Sequence, residues 1–388
     1  YGYDPYLSSW SPLHGSIYAI LESLSKIVAN GADYRKAHLS LQEYFGKMTD
    51  DPERWGLPTA ALLGAYSVQN GLKVAAIGGK DSMSGTFEDI DVPPTLCSFA
   101  VAVGKEDEVV TPELKQAGNL LVKLYIKKDD YDLPVYERVA LLYHDIYRMM
   151  LNGTIVSAYV ADRQGISAAI SKMAFGSGLG VELNDDVSYA NLFAPSYADF
   201  VVEIPADREK EFYRIGNNDR VILGRVIEEP VIKYKDETLT LDEVKAAWEG
   251  TLEDIYPTKS KMEVSENIEA PDYSEKDIYI CKNKVAKPRV FIPVFPGTNC
   301  EYDTARAFEN AGAVADVFVV RNLTGDDIKG SVEAFTEGIN NAQIVMFPGG
   351  FSAGDEPEGS AKFFATAFRN EKMSEAVNKL LNERDGLA

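Results

Sequence analysis

The most constraining feature of this sequence is the alternation of apolar runs and helical patterns in its last hundred residues. The run RVFIPVF is almost continuously apolar, as is typical of a parallel strand buried on both faces. The turn PGTN, the helical stretch CEYDTARAFENAG and a second strand, DVFVV, follow it. A further helix leads to the strand QIVMF and the turn PGGFSAGDE. This order predicts a doubly wound parallel sheet in which both turns lie at carboxyl ends of strands, where ligands bind.

The preceding residues predict a mixed arrangement of helices and strands. Residues 12–30 carry an apolar stripe at three- and four-residue steps after Ser11, which predicts a helix. The stretch PTAALLGAYSVQNG predicts a second helix that ends at Gly71, and KVAAIGG predicts a short buried strand that delivers a loop. Five apolar strands and two helices between residues 119 and 227 predict a sheet with helices on one face, an α+β layer arrangement. Residues 251–286 are charged and aperiodic and predict a connector.

Composition and charge exclude several classes of protein. The 388 residues suffice for two or three domains, and the net charge of −21 disfavours a general nucleic-acid binder. Apolar runs are too short for a membrane span, and we recognise no signal peptide. Three cysteines without CxxC spacing favour a reduced, cytosolic compartment, and three separated histidines disfavour a histidine metal site. Because the sequence begins with Tyr1, we expect it to be an internal piece of something longer.

The stretch AAIGGKDSMSG is the first candidate for a phosphate-binding segment. It differs from the common phosphate-binding loop at two of four fixed positions, because Val74 replaces the first glycine and Asp81 replaces the hydroxyl residue. The pattern alone therefore leaves two interpretations open: another kind of phosphate contact, or an ordinary turn that carries a solvated lysine.

Four long motifs, in order, resemble one known family. They are GGKDSMSGTFEDIDVPPTLCSFAV, ISAAISKMAFGSGLGVEL, FPGTNCEYDTARAFENAGA and FPGGFSAGDEPEGSAKF. Together they resemble the later half of the large, single-chain phosphoribosylformylglycinamidine synthase of purine biosynthesis. The resemblance implies the end of an α/β synthetase part at 1–104, an α+β synthetase domain at 105–250, a linker at 251–286 and the front of a flavodoxin-like class I glutaminase domain at 287–388.

The resemblance also implies a reaction and a set of binding residues. In that family, ATP and Mg²⁺ activate the amide of formylglycinamide ribonucleotide, and ammonia released from glutamine displaces phosphate. By the match, Gly79 allows close approach of the nucleotide, and Lys80 meets its phosphates. Asp81 belongs to the same motif, and Ser82 and Ser84 are the candidates for hydrogen bonds to the substrate. The implied partners are the missing first synthetase half and the rest of the glutaminase domain, with neither a nucleic acid nor a membrane.

A second, auxiliary nucleotide site of the family looks degenerate here. Its metal-binding positions read Glu22, Lys26, Asp162 and Arg163, and of these only Glu22 is a candidate metal ligand. Lysine and arginine cannot ligate Mg²⁺, so we expect a metal-free site in which Lys26 and Arg163 pair with Glu22 and Asp162 or meet an anion. The alternative is an exposed i,i+4 ion pair between Glu22 and Lys26 that has no such role.

Residues 287–388 resemble the glutaminase family, but they do not include the catalytic residues of that family. None of the three cysteines has the GxCxG context of the nucleophile, and Cys300 matches the first turn of the domain. The last residues resemble the segment just before the nucleophile, and the catalytic histidine and glutamate are also absent. Gly349, Gly350 and Phe351 are expected to line the glutamine pocket. The polypeptide alone is therefore expected to be inactive.

Two alternatives remain open at this point. One is a nucleotide-binding scaffold that has the same fold and no chemistry, which the replaced metal positions favour. The other is a related synthetase of the aminoimidazole or selenophosphate type, which residues 287–388 disfavour because those enzymes lack a glutaminase.

Overall fold

A computed structural model describes residues 1–214, 219–259, 274, 280–350 and 362–388. The chain divides into two compact units, Tyr1–Glu263 and Val264–Ala388. Among the described residues, no helix is both long enough and apolar enough to cross a membrane.

The first unit begins with helices that pack on a small sheet. The elements are α1 (Pro5–Trp10), α2 (Pro12–Ala29), β1 (His38–Tyr44), α3 (Pro52–Leu72), β2 (Ala75–Ser82), β3 (Thr86–Phe87), β4 (Ile90–Asp91) and β5 (Thr95–Val101). The side chain of Ser11 caps α2 by accepting the N–H of His14, as the sequence predicts. Helix α3 starts earlier than predicted. The side chain of Asp51 caps it, and Pro52 lies in its first turn, so the predicted first residue, Pro58, lies inside the helix.

The small sheet has the order β2-β1-β5, and helices cover one of its faces. Strand β1 runs parallel to β2 and antiparallel to β5. Leu39 and Leu96 are buried in one apolar cluster with Leu24 of α2. On the other face, Phe99 and Val101 are 43% and 67% exposed. We call this second face, formed by alternate residues of the three strands, the open face.

The rest of the first unit is built around a seven-stranded sheet of order β12-β11-β8-β10-β6-β9-β7. Its elements are β6 (Leu120–Leu124), α4 (Tyr136–Leu151), β7 (Ser157–Val160), α5 (Gly165–Ser177), β8 (Gly180–Leu183), α6 (Tyr189–Phe193), β9 (Phe200–Ile204), α7 (Glu209–Arg214), β10 (Arg220–Ile227), β11 (Val231–Tyr234), β12 (Glu237–Thr240) and α8 (Leu241–Gly250).

Helices cover both faces of this sheet, so the prediction of helices on one face is wrong. Val122 of β6 is buried in a cluster with Tyr143 of α4, whereas its neighbour Leu121 is buried in a separate cluster with Ile170 of α5. Successive strand residues point to opposite faces, so each face contributes to its own core.

The second unit contains a parallel sheet of order β14-β13-β15. Its elements are β13 (Arg289–Val294), α9 (Glu301–Asn310), β14 (Val314–Val319), α10 (Gly325–Asn341), β15 (Ile344–Val345), α11 (Lys362–Ala367) and α12 (Glu371–Asn382). Leu387 forms a further parallel bridge to Ile344. The predicted alternation of parallel strands and helices is confirmed.

Candidate functional site

The strand predicted at residues 73–79 is present, but it continues through the KDS part of the first motif, so the prediction of a loop at residues 80–82 is wrong. Strand β2 runs through Ser82, and its residues pair in register with β1, from Gly78 opposite Ser40 to Ser82 opposite Tyr44. Most of the strand is exposed, which also contradicts the predicted burial. Ladder hydrogen bonds to β1 keep this segment extended, and the sequence analysis assigns no strand to residues 38–44.

Gly79 has a structural reason to be glycine. A Cβ built on Gly79 would lie 1.8 Å from the carbonyl oxygen of Leu41 in β1. The close approach seen here is therefore to the neighbouring strand, whereas the resemblance implied close approach to a nucleotide.

Lys80 and Ser82 lie on the open face of the small sheet. Their register partners are Gln42 and Tyr44, which alternate with the buried Leu39. The ammonium group of Lys80 donates a hydrogen bond to the carbonyl of Asp81 at 2.7 Å, and the hydroxyls of Ser82 and Ser84 are 2.7 Å apart. One cation and two hydroxyls are thus presented near the carboxyl end of β2, an arrangement that can contact an anion.

Asp81 points to the opposite face, towards a buried glutamate. Its register partner is Glu43, which is 9% exposed. The Oε1 atom of Glu43 accepts no hydrogen bond from the described residues. Burial, together with the negative charge of Asp81, raises the pKa of Glu43 to about 7. Glu43 is not among the residues predicted from the sequence. The available signal was its place in the stretch HLSLQEY, where it alternates in step with the apolar residues Leu39 and Leu41.

At the auxiliary site, Glu22 and Lys26 form the predicted ion pair, but its glutamate is buried and only the side chain of Lys26, at 37%, is exposed. The Nζ of Lys26 lies 2.6 Å from Oε1 of Glu22 and donates to the carbonyl of Tyr1 at 2.8 Å. Glu22 is only 8% exposed, and burial raises the pKa of its carboxyl although Lys26 opposes the shift. The alternative of an exposed helix pair is therefore wrong in that respect.

Arg163 pairs with a residue that the sequence analysis did not consider. Its Nε lies 3.2 Å from Oδ2 of Asp4, and its guanidinium lies 4.4 Å from the ring centre of Tyr6.

Asp162 has other partners. It accepts the N–H of Gln164 and lies 3.9 Å from the ammonium of Lys172. The expected pairing of Arg163 with Glu22 or Asp162 is wrong. No pattern in the first residues pointed to Asp4.

A magnesium ion does not fit beside Glu22 in this arrangement, because the Lys26 ammonium occupies the position next to the carboxylate oxygen. Among the described residues, no group of three or more His, Cys, Asp or Glu side chains could hold a metal. That the site binds no metal remains a prediction.

In the second unit, the two turns at the strand ends contact each other. The N–H groups of Asn299 and Cys300 lie 3.2 and 3.3 Å from the carbonyl oxygen of Gly349, and Thr298 bridges to Gly350. Gly350 has φ +144°, and a Cβ there would lie 2.4 Å from the carbonyl oxygen of Gly297. The predicted neighbourhood of the two turns is thus observed, while Phe351 lies outside the described residues.

Cys300 is exposed at the start of α9, beside these turns. Its thiol donates to Oδ1 of Asn299 at 3.2 Å, and a Cβ on Gly349 would lie 3.3 Å from its sulfur. Its role as a turn residue and not as the nucleophile stays a prediction.

Comparison with known proteins connects both units with one enzyme. Residues 287–388 match the family model of the CobB/CobQ-like glutamine amidotransferase domain. Over 94 residues, the chain is 35% identical to the phosphoribosylformylglycinamidine synthase subunit PurQ of Methanococcus maripaludis, covering 24% of this chain and 31% of that subunit. This chain is similar to two subunits of that synthase. The second is PurL of Lactobacillus delbrueckii subsp. bulgaricus, at 22% identity over 272 residues, covering 64% of this chain and 36% of PurL.

A solved structure of PurL has a fold similar to that of this chain. Thermotoga maritima PurL complexed with AMPPCP superposes with a TM-score of 0.51 at 16% identity, covering 71% of this chain and 47% of that one. The chain thus combines a mixed α/β fold like that of PurL with an amidotransferase domain, and it spans about a third of the length of the curated relatives it matches.

Proposed function

We propose that this chain supplies part of an ATP-dependent carbon–nitrogen ligase that converts formylglycinamide ribonucleotide and glutamine into formylglycinamidine ribonucleotide in purine biosynthesis. The observation that carries this proposal is the presence, in one polypeptide, of a PurL-like fold and a glutamine amidotransferase domain. A ligase that activates its substrate with ATP and takes its nitrogen from glutamine needs both a synthetase part and a glutaminase part.

Within the first unit, the open face would be the side that meets ATP and a partner domain. Lys80 would place a positive charge against the phosphates, and the hydroxyls of Ser82 and Ser84 would orient the substrate. Magnesium, held with the nucleotide, would neutralise part of the triphosphate charge. The support is that Lys80 and Ser82 share one face, beside the exposed Phe99 and Val101.

Within the second unit, the paired turns would form one wall of the glutamine pocket. Gly349 and Gly350 would bring backbone close to the glutamine, because neither carries a side chain that would fill the space. None of the three cysteines has the nucleophile context, so we expect this polypeptide alone to release no ammonia from glutamine.

The test is reconstitution with a polypeptide that carries the first synthetase half, with ammonium chloride as the nitrogen source. The proposal predicts ATP-dependent formation of the amidine, measured as phosphate release and by mass spectrometry of the product. Lys80→Ala should raise the KM for ATP about tenfold or more, because it removes a charge-assisted phosphate contact, whereas Lys73→Ala should leave it unchanged. Amidine formation without ATP, or equal effects of both substitutions, would contradict the proposal.

The alternative function is a nucleotide-binding scaffold that has no chemistry. The pairing of Lys26 with Glu22 and of Arg163 with Asp4 favours it at the auxiliary site, since side-chain cations take the place of an ion there. In the reconstitution, this alternative predicts nucleotide binding and no phosphate release.

A further inference from the structure

The first unit contains a cavity that the proposed function does not use. It has a volume of about 450 Å³ and lies between α5, α6, α8 and the hairpin of β11 and β12. Ligand cavities in proteins commonly have about 300–1,000 Å³, so this space can hold a small molecule. Neither Lys80 nor the paired turns of the second unit line it.

Five aromatic side chains contribute to a largely apolar lining. Phe175 and Trp248 stack with ring centres 5.8 Å apart, and Tyr189 and Phe193 stack at 5.9 Å. Trp248, Tyr189 and Phe193 are each more than half exposed although they surround one cavity. Large apolar residues concentrated around a concave surface mark a binding site more often than chance exposure does. The ring surfaces suit a flat, apolar body.

Polar groups line the cavity along one side of α5. Gln164, Ser167, Ser171 and Lys172 contribute to the wall. The ammonium of Lys172 donates to the amide oxygen of Gln164 at 3.0 Å, and its nearest carboxylate oxygen, on Asp162, is 3.9 Å away. The side chain of Lys172 is only 19% exposed. The distance to Asp162 is longer than a hydrogen bond, so the ammonium of Lys172 can still donate a hydrogen bond to an anionic ligand group.

The charges around the cavity limit the ligand to one anionic group. Glu237 lines another part of the wall, on β12, and would repel a second anion placed there. We propose that this cavity binds a small aromatic monocarboxylate, whose ring packs among Phe175, Tyr189 and Trp248 and whose carboxylate meets Lys172. Such a site would be distinct from the residues around Lys80 and from the paired turns, and it would adjoin the auxiliary site through Asp162.

The experiment compares two probes of the same shape, naphthylacetate and its neutral amide, by isothermal titration calorimetry on the full chain. The acid is expected to bind with a stoichiometry of one and about tenfold more tightly than the amide, because a charge-assisted hydrogen bond is lost in the amide. Lys172→Met should remove this preference and Lys172→Arg should keep it. Lys245→Met, on the exposed side of α8, should leave both affinities unchanged.

A second pair of variants tests the location. Ala168→Phe and Ser171→Phe each fill the cavity from α5 and should abolish binding of both probes; two positions are used in case one substitution disturbs the helix. Binding of neither probe at millimolar concentration would overturn the proposal. So would equal affinity for acid and amide, or undiminished binding by a filled variant whose circular dichroism is that of the wild type.

Discussion

At the scale of single residues, the buried carboxyl of Glu43 controls a pH-dependent part of the stability. Its pKa rises from the ordinary value of 4.5 to about 7 in the folded chain, so the folded state holds the proton more tightly than the unfolded state does. The free energy of unfolding should therefore fall as the pH rises from about 4.5 to about 7, by about 3 kcal/mol in all.

Glu43→Gln removes this titration. The variant should be about 3 kcal/mol more stable than the wild type at pH 8 and little changed at pH 4.5, as measured by urea unfolding at both pH values. The exposed Glu228 provides the control, because Glu228→Gln should leave the free energy of unfolding unchanged at both pH values. A stability gain at pH 4.5 as large as that at pH 8 would show that burial of the charge is not the cause.

Gly79 provides a second prediction at this scale. A methyl group on Gly79 collides with the backbone of Leu41, so Gly79→Ala should destabilise the first unit by about 3 kcal/mol. Gly104→Ala, where a Cβ meets no atom within 4 Å, is the matched control and should change the unfolding midpoint little. If the glycine served nucleotide approach alone, Gly79→Ala would weaken ATP binding without a loss of stability.

At the scale of elements, two of the three glycines of α3, Gly56 and Gly64, should respond to substitution in opposite directions. A Cβ at Gly64 would lie 2.1 Å from the hydroxyl oxygen of Ser16 and 2.4 Å from the carbonyl of Leu13, so this glycine permits the close packing of α3 on α2. A Cβ at Gly56 meets no atom within 4 Å. Gly56→Ala should stabilise by about 1 kcal/mol through helix propensity, and Gly64→Ala should destabilise by about 2 kcal/mol or more, as thermal unfolding can measure.

The elements also show how far local patterns can predict this fold. The stripe of α2 and the apolar run of β13 are encoded within a few consecutive residues, and both were predicted correctly. The predicted stretch for α3 begins at Pro58, whereas the helix begins at Pro52 behind the capping side chain of Asp51. Strand β2 continues beyond the predicted strand of residues 73–79, because residues 80–82 pair with β1, which lies over thirty residues away.

The same reasoning applies to the sites. The two glycine turns could be placed together because parallel strands end at one edge of a sheet, and the structure has them in contact. The pairing of Asp4 with Arg163 and the position of Glu43 beside Asp81 depend on tertiary contacts that no spacing in the sequence encodes. The aromatic cavity combines α6, α8, β11 and β12, which the sequence analysis did not identify.

At the scale of the whole molecule, the open face should be an association surface if the proposed function holds. Phe99 and Val101 are apolar and exposed on the side that presents Lys80, and a sheet with one apolar uncovered face gains free energy when another domain covers it. Phe99→Glu should therefore weaken binding of the first synthetase half by about tenfold or more, because a buried charge without a partner is costly at an interface.

The measurement is a pull-down titration or analytical ultracentrifugation of the chain with that partner polypeptide. Tyr66→Glu is the control, since Tyr66 is an exposed aromatic residue, at 67% against 43% for Phe99, but lies on α3, which packs on the covered side of the small sheet. Equal losses of affinity for the two variants would mean that the added charge acts at long range on an already acidic chain. A loss confined to Phe99→Glu, accompanied by loss of ATP-dependent amidine formation, would connect the open face with both the partner and the chemistry.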